Sequence, residues 1–200
     1  MNSSLQQLLS EIEQFGKDND TAITDRSRRM LNITRDTGEF LDVLVRATNA
    51  RRALEIGTSN GYSTLWLAHA AIAIGGLVTT VELSNAKVTM AAANFERSGM
   101  ASVIRQVHGD AGHVLSSTGD SQYDLIFLDS ERLEYPGWWP YLRRMLRPGG
   151  LLVADNATSH SEQMAPFIEL VKADPTFNSC LVPIGNGEFL ATRSAGGADA

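Results

Sequence analysis

From residue 52 onward, short and almost wholly apolar runs alternate with segments of helical periodicity, and few architectures accept that pattern. The runs cover 53–57, 77–82, 103–108, 123–129 and 151–155. Helices are expected at 61–73, from the N-cap Ser84 to about Ser98, and at 111–117, 135–146 and 161–173. Strands buried on both faces lose the alternation of polar and apolar residues, so these runs read as a parallel sheet with helices on both sides. Two more strands, near 178–184 and 187–192, flank Gly185-Asn186-Gly187 and are expected to pair as an antiparallel hairpin. The expected fold is therefore α/β: a mostly parallel seven-stranded sheet closed by a C-terminal hairpin. Ahead of it, Leu5, Leu8, Leu9, Ile12 and Phe15 predict a helix over 4–15. Asp36 and Glu39, in a capping-box pattern, predict a second helix over 37–48. Arg147-Pro148-Gly149-Gly150 predicts a sharp turn. The chain reads as one unit over 1–200: a helical cap over 1–50, a core over 52–193 and a flexible tail over 194–200.

Composition narrows the function classes. Seventeen Lys and Arg against 23 Asp and Glu leave a net charge of −6. That argues against capture of nucleic acid or of an anionic membrane, which needs a basic face. The one cysteine, Cys180, excludes an intrachain disulfide framework and a cysteine-based zinc site. No run reaches the roughly 20 apolar residues of a membrane span. The Met1-Asn2-Ser3-Ser4 start lacks a basic segment followed by an apolar one, so a cytoplasmic protein acting on a small molecule is expected.

In parallel sheets ligands bind beyond the carboxyl ends of the strands, at the switch in strand order. The candidate residues stand there. Glu55-Ile56-Gly57-Thr58-Ser59-Asn60-Gly61-Tyr62-Ser63 joins the first strand to its helix. Its glycines let the backbone approach a ligand, and the helix start offers free N–H groups. The spacing does not fit the dinucleotide fingerprint, and the acidic Glu55 would repel a pyrophosphate but suit a positively charged group. Glu82, ending the second strand, suits either the hydroxyls of a ribose or the dipole of the next helix. Asp110, in Gly109-Asp110-Ala111, suits either an adenine amino group or a helix N-cap. Asp129 ends the fourth strand, and Asp155 with Asn156 ends the fifth. If those strands are neighbours, three hard oxygen ligands converge at one mouth of the sheet, a set suited to Mg²⁺ or a similar cation.

Taken together, Leu54 to Thr58, Gly61-Tyr62-Ser63, Val81-Glu82, Gly109-Asp110-Ala111, Phe127-Leu128-Asp129, Arg147 to Gly150 and Ala154-Asp155-Asn156 resemble the cation-dependent O-methyltransferases of the catechol and caffeoyl-CoA type. The resemblance covers roughly residues 30–193 and implies a Rossmann-like class I methyltransferase fold that uses S-adenosylmethionine. It implies that Glu55, Gly57, Ser59, Gly61, Tyr62 and Ser63 line the methionine part of the cofactor, with Leu31 and Ile33 covering it. It places Glu82 at the ribose, Asp110 and Ala111 at the adenine, Leu83, Gly109 and Asp129 elsewhere along the cofactor, and Asp129, Asp155 and Asn156 on the metal. The implied reaction is methyl transfer to a hydroxyl of a small catechol-like aromatic chelated to Mg²⁺.

Two departures stand out. The lysine that the family places three residues after the first metal aspartate, as general base, is here Arg132, whose guanidinium does not deprotonate at neutral pH. The base then lies elsewhere (Glu131 or His160), or the metal acidifies the hydroxyl, or Arg132 orients an anionic substrate. The segment after Asn156 is also short, Ala157-Thr158-Ser159-His160 leading straight into a helix. A metal-independent methyltransferase, an NAD-type oxidoreductase and a non-catalytic cofactor-binding protein are the alternatives. Trp138 and Trp139 read as helix packing, or as one wall of an aromatic pocket. The apolar face over 4–15 suits either a cover for the site or a homodimer contact.

Overall fold

The computed structural model describes residues 1–195; the rest of the expected tail, 196–200, lies outside the described residues. Seven strands form one sheet: β1 (Arg52–Ile56), β2 (Leu77–Glu82), β3 (Ile104–His108), β4 (Tyr123–Leu128), β5 (Leu146–Ala154), β6 (Phe177–Val182) and β7 (Glu188–Arg193). Their order is β3-β2-β1-β4-β5-β7-β6. The first five are parallel, while β7 lies antiparallel between β5 and β6. The order reverses between β1 and β4, which opens a crevice at their carboxyl ends.

Successive strand residues feed two separate cores, because side chains alternate across a sheet. Ala53, Leu125, Phe127, Leu151 and Val153 point to one face. There they meet α1 (Ser3–Ala22), α2 (Arg35–Ala47), α3 (Tyr62–Ile74) and α4 (Asn85–Ser98). Leu54, Ile56, Ile126, Leu128, Leu152 and Ala154 point to the other. That face is covered by α5 (Ala111–Ser117), α6 (Tyr135–Met145) and α7 (Ser161–Ala173). Helix α3 is apolar on all sides because α2, α4 and the sheet surround it.

Several boundaries differ from the sequence-based expectations, each for a tertiary reason. Helix α1 runs on to Ala22 rather than stopping near residue 15. Its polar second half is held by the segment after it: the Asp20 carboxylate accepts from the backbone N–H groups of Met30 at 2.6 Å and Leu31 at 2.8 Å. Helix α2 begins at Arg35 with Thr34 as its cap, not with Asp36. Asp36 instead reaches the hairpin turn and accepts from the Gly185 N–H at 3.3 Å. Residues 147–150 lie within β5 as an irregularity; pairing with β4 jumps from Leu146↔Tyr123 to Leu151↔Leu125 around the positive φ of Gly149. Trp138 and Trp139 serve packing. Trp139 stands 4.8 Å from Phe177 and 5.9 Å from Phe167, ring centre to ring centre, and Trp138 stands 5.7 Å from Tyr135.

Helix α2 approaches α3 closely through Gly38, where an added Cβ would come within 2.4 Å of the Trp66 indole nitrogen. Gly38→Ala is expected to overpack this contact and cost about 1–3 kcal/mol, read as a lowered urea midpoint at unchanged slope; an unchanged midpoint would show that the helices yield freely.

Candidate active site

The chain leaves β1 through Gly57, whose φ of +106° is closed to most side chains. A Cβ there would lie 2.0 Å from the carbonyl oxygen of Asp129, so glycine is what lets the loops after β1 and β4 touch. The sheet pairing continues into these loops: Gly57 N–H donates to Val81 O, Asp129 N–H to Ile56 O and Asp155 N–H to Leu128 O, each at 3.0 Å. Above the loops lies a cavity of about 600 Å³, inside the range of small-molecule sites. A second cavity, of about 610 Å³, opens at the amino ends of β1, β2 and β4 and brings no acidic residues together.

Gly57, Ser59, Glu82, Asp129, Arg132 and Asn156 share the first cavity, with Leu31 over it. Leu31 is held there, at a φ of +51° and 43% exposed, by the Asp20 bond described above. Met30 also lines the cavity, and its carbonyl accepts from the Ser59 hydroxyl at 2.7 Å. No motif in the sequence marked Met30, because its place depends on a carboxylate ten residues away. Arg26, Lys87, Glu131, His160 and Asn186 complete much of the wall. Ile33 is turned into the core beside α1 and α2.

Glu82 accepts from Ser59 N–H at 2.9 Å and Ser84 N–H at 2.8 Å, one on each carboxylate oxygen. It thereby ties the loop after β1 to the start of α4. Leu83 is exposed beside it. Gly109, Asp110 and Ala111 lie at the neighbouring strand end, outside the cavity wall. Asp110 caps α5 by accepting from His113 N–H at 2.8 Å.

A second group of expected residues lies beneath the cavity floor. Glu55 is fully buried and accepts from Ser63 and Thr80 hydroxyls at 2.5 Å each, and from Thr64. Burial pushes its carboxyl up to about 7 against the pull of those three hydroxyls. Gly61 starts α3 at a φ of +87°, with Phe95 in the space a Cβ would need. The Tyr62 hydroxyl donates to Glu13 on α1 at 3.2 Å, and burial pushes it up to about 12.

At the ends of β4 and β5 the acids crowd. Burial first, then the Asp155 and Glu55 carboxylates, push Asp129 well above the ordinary carboxylate range, while Arg132 opposes the shift. Asp155 is buried and raised for the same first reason. One of its oxygens accepts from Asn156 N–H at 2.6 Å and the other from the Asn156 side-chain amide at 2.9 Å. The Asn156 side-chain oxygen accepts from Arg132 Nη1 at 2.8 Å, and Arg132 Nε donates to Gln163 of α7 at 2.9 Å. Below them Glu188 of β7 accepts from the Thr37 hydroxyl at 3.0 Å. Burial and the Asp155 carboxylate push Glu188 up to about 10, so it is a neutral acid that donates toward Asp155.

Fold and cavity together define an α/β chain with its ligand crevice at the β1–β4 switch. Comparison with known proteins sharpens the class. The O-methyltransferase family profile matches residues 5–194, and the chain belongs to that family. A Mycobacterium sp. (strain JLS) protein, provisionally named an O-methyltransferase, is 31% identical over 174 residues, 80% of this chain and 79% of that protein. The catechol O-methyltransferase of Mycobacterium tuberculosis (strain ATCC 25618 / H37Rv) is 35% identical over 124 residues, 62% of this chain and 56% of that protein. The fold is that of class I methyltransferases. The Bacillus cereus O-methyltransferase, solved in complex with SAH, superposes with a TM-score of 0.78 at 24% identity, covering 94% of this chain and 91% of that one. Among the described residues no helix is long and apolar enough to cross a membrane.

Glu188 sets a stability test. Its folded value, about 10, lies above its ordinary 4.5, so the folded chain keeps a proton that the unfolded chain releases. Its contribution is complete below about pH 4.5 and declines as pH rises toward 10. Glu188→Gln keeps a donor to Asp155 and removes the ionisation, so denaturant stability is expected to fall less between pH 5 and 9 than in the wild type. Equal slopes for the two proteins would assign the acid no such role.

Proposed function

We propose that the chain transfers a methyl group from S-adenosylmethionine to a hydroxyl of a small aromatic acceptor. The observation that carries the reading is the crevice at the β1–β4 switch, where the bare backbone of Gly57, the carboxylate of Glu82 and that of Asp129 face one cavity. The reading is supported by the SAH-bound Bacillus cereus structure, and by an O-methyltransferase of Streptomyces achromogenes solved with SAM (TM-score 0.77 at 24% identity, covering 97% of this chain and 91% of that one). The names of the catechol O-methyltransferase relatives support an aromatic hydroxyl as acceptor.

In this reading Glu82 holds the ribose, and Gly109 to Ala111 with Leu83 border the adenine at the rim. The methionine portion lies over Gly57 and Ser59, under Leu31. Acidic walls favour the sulfonium cation. The acceptor occupies the Arg132, His160 and Asn186 side of the cavity. Its hydroxyl oxygen forms a bond to the methyl carbon, the carbon–sulfur bond breaks, and the electron pair stays on sulfur. The chain supplies position and charge for this displacement.

The hydroxyl proton goes to His160. Burial, then the Arg132 and Arg26 charges, hold this imidazole below the ordinary histidine value, so it is neutral at pH 7 and able to accept. Glu131 shares the wall but stands more exposed.

The expected divalent cation does not fit the donor set as it stands. Both Asp155 oxygens accept from Asn156, and the Asn156 side-chain oxygen accepts from a guanidinium. No step above runs through a cation.

Calorimetry is expected to show one S-adenosylmethionine bound per chain and no heat with NADH, followed by labelled methyl transfer to members of a hydroxylated aromatic panel. NADH binding in its place would move the chain to oxidoreductase chemistry. The rate should rise with pH as His160 loses its proton and reach its plateau at a lower pH than an ordinary histidine would give. His160→Gln should lower the plateau by about a hundred-fold or more; a plateau left intact would remove His160 from the proton path.

A further inference from the structure

The positive charge at the acid cluster is built into the chain. Arg132 is only 3% exposed, although it belongs to the short 3-10 turn Arg132–Glu134 beside an open cavity. Burying a guanidinium is costly unless partners surround it. Two bonds fix it, to Asn156 Oδ1 on one side and Gln163 Oε1 on the other, and the fields of Asp129 and Asp155 face it. A guanidinium carries five N–H donors in a rigid fork. Two are spent here; among the described residues the other three have no hydrogen-bond partner, on a side chain that lines the cavity.

The bonding around Asn156 says what the arginine does. An oxygen donor held for a divalent cation needs a lone pair facing the ion, at a distance near 2.0–2.6 Å. Asn156 instead turns its oxygen to Arg132 and its amide N–H to Asp155, from a backbone φ of +66°. The amide thus links one acid to one base, the polarity expected when the cation is a side chain.

We propose that the Arg132 guanidinium replaces the divalent cation, and that its free N–H groups receive the acceptor oxygen. The proposal rests on the methyl-transfer reading and deepens it in two respects. Turnover needs no metal. The acceptor needs only one acidic hydroxyl, such as a phenol, because a guanidinium binds a single oxyanion and demands no vicinal pair to chelate. Proton and electron bookkeeping is that of the displacement above: O–C forms, C–S breaks, the proton goes to His160, and Arg132 changes neither bonds nor charge.

The test is a Mn²⁺ titration followed by electron paramagnetic resonance, run on the full chain with S-adenosylhomocysteine bound. No loss of the free-ion signal is expected at Mn²⁺ concentrations below about 1 mM, the weak end of the range of dedicated cation sites. Turnover of a monohydroxylated phenol should survive EDTA unchanged. Arg132→Met should lose about a hundred- to a thousand-fold in kcat, the cost of one donor to a developing or attacking oxyanion. Its affinity for S-adenosylmethionine by calorimetry should stay at the wild-type value, which also certifies the fold. Arg132→Lys should recover part of the loss. Stoichiometric Mn²⁺ uptake by the wild type, or activity removed by EDTA and restored by Mg²⁺, would overturn the proposal. Failure to bind S-adenosylmethionine at all would instead overturn the underlying methyl-transfer reading, and the same titration on the cofactor-free chain would then test the replacement of the cation by itself.

Discussion

The contact between Gly57 and the Asp129 carbonyl is the constraint on which the site depends. β1 and β4 are central neighbours in a sheet whose strand order reverses between them. Their loops diverge to opposite sides, so a ligand crevice exists only where they part. Because glycine occupies the first loop position, the two backbones close up and the crevice floor becomes continuous. Glu82 then spans from the first loop to α4, and Asp129 faces the same space from β4. A side chain at Gly57 would wedge apart the two loops that form the crevice floor.

Beneath that floor the chain manages an unusual density of acids. Glu55, Asp129, Asp155 and Glu188 are all raised above their ordinary values, chiefly by burial. The field is relieved in different ways at different depths. Three hydroxyls surround Glu55, a neutralised Glu188 donates toward Asp155, and Arg132 supplies a fixed charge at the cavity edge. Thr37 and Gly185 bring α2 and the last hairpin into the same network. The N-terminal helices are therefore part of the site's electrostatics as well as its cover.

The strands were legible because a buried parallel sheet leaves continuous apolar runs that no surface segment imitates. The loop glycines and the acids at the strand ends were legible because backbone conformation and strand polarity confine those residue types to those places. Glu188 was invisible: within 187–192 it reads as one polar residue of an edge hairpin, and only the insertion of β7 beside β5 buries it against Asp155. Arg132 was visible as a departure but not as a partner of Asn156 and Gln163, which come from a different loop and a different helix. The resemblance placed Tyr62 and Ser63 along the cofactor; what the sequence did not show is that their hydroxyls bond Glu13 and Glu55.

By itself the sequence determined the α/β order, the carboxyl-end position of the candidate residues and the resemblance to O-methyltransferases, because each depends on local periodicity or on residue types at strand ends. Only the tertiary structure decided which of those residues face the cavity, which acids burial raises and what Asp155 and Asn156 bond to. Such outcomes depend on distances between residues far apart in the chain. A carboxylate's charge and a donor's availability follow from what lies within a few ångströms, and that neighbourhood exists only after the sheet has closed.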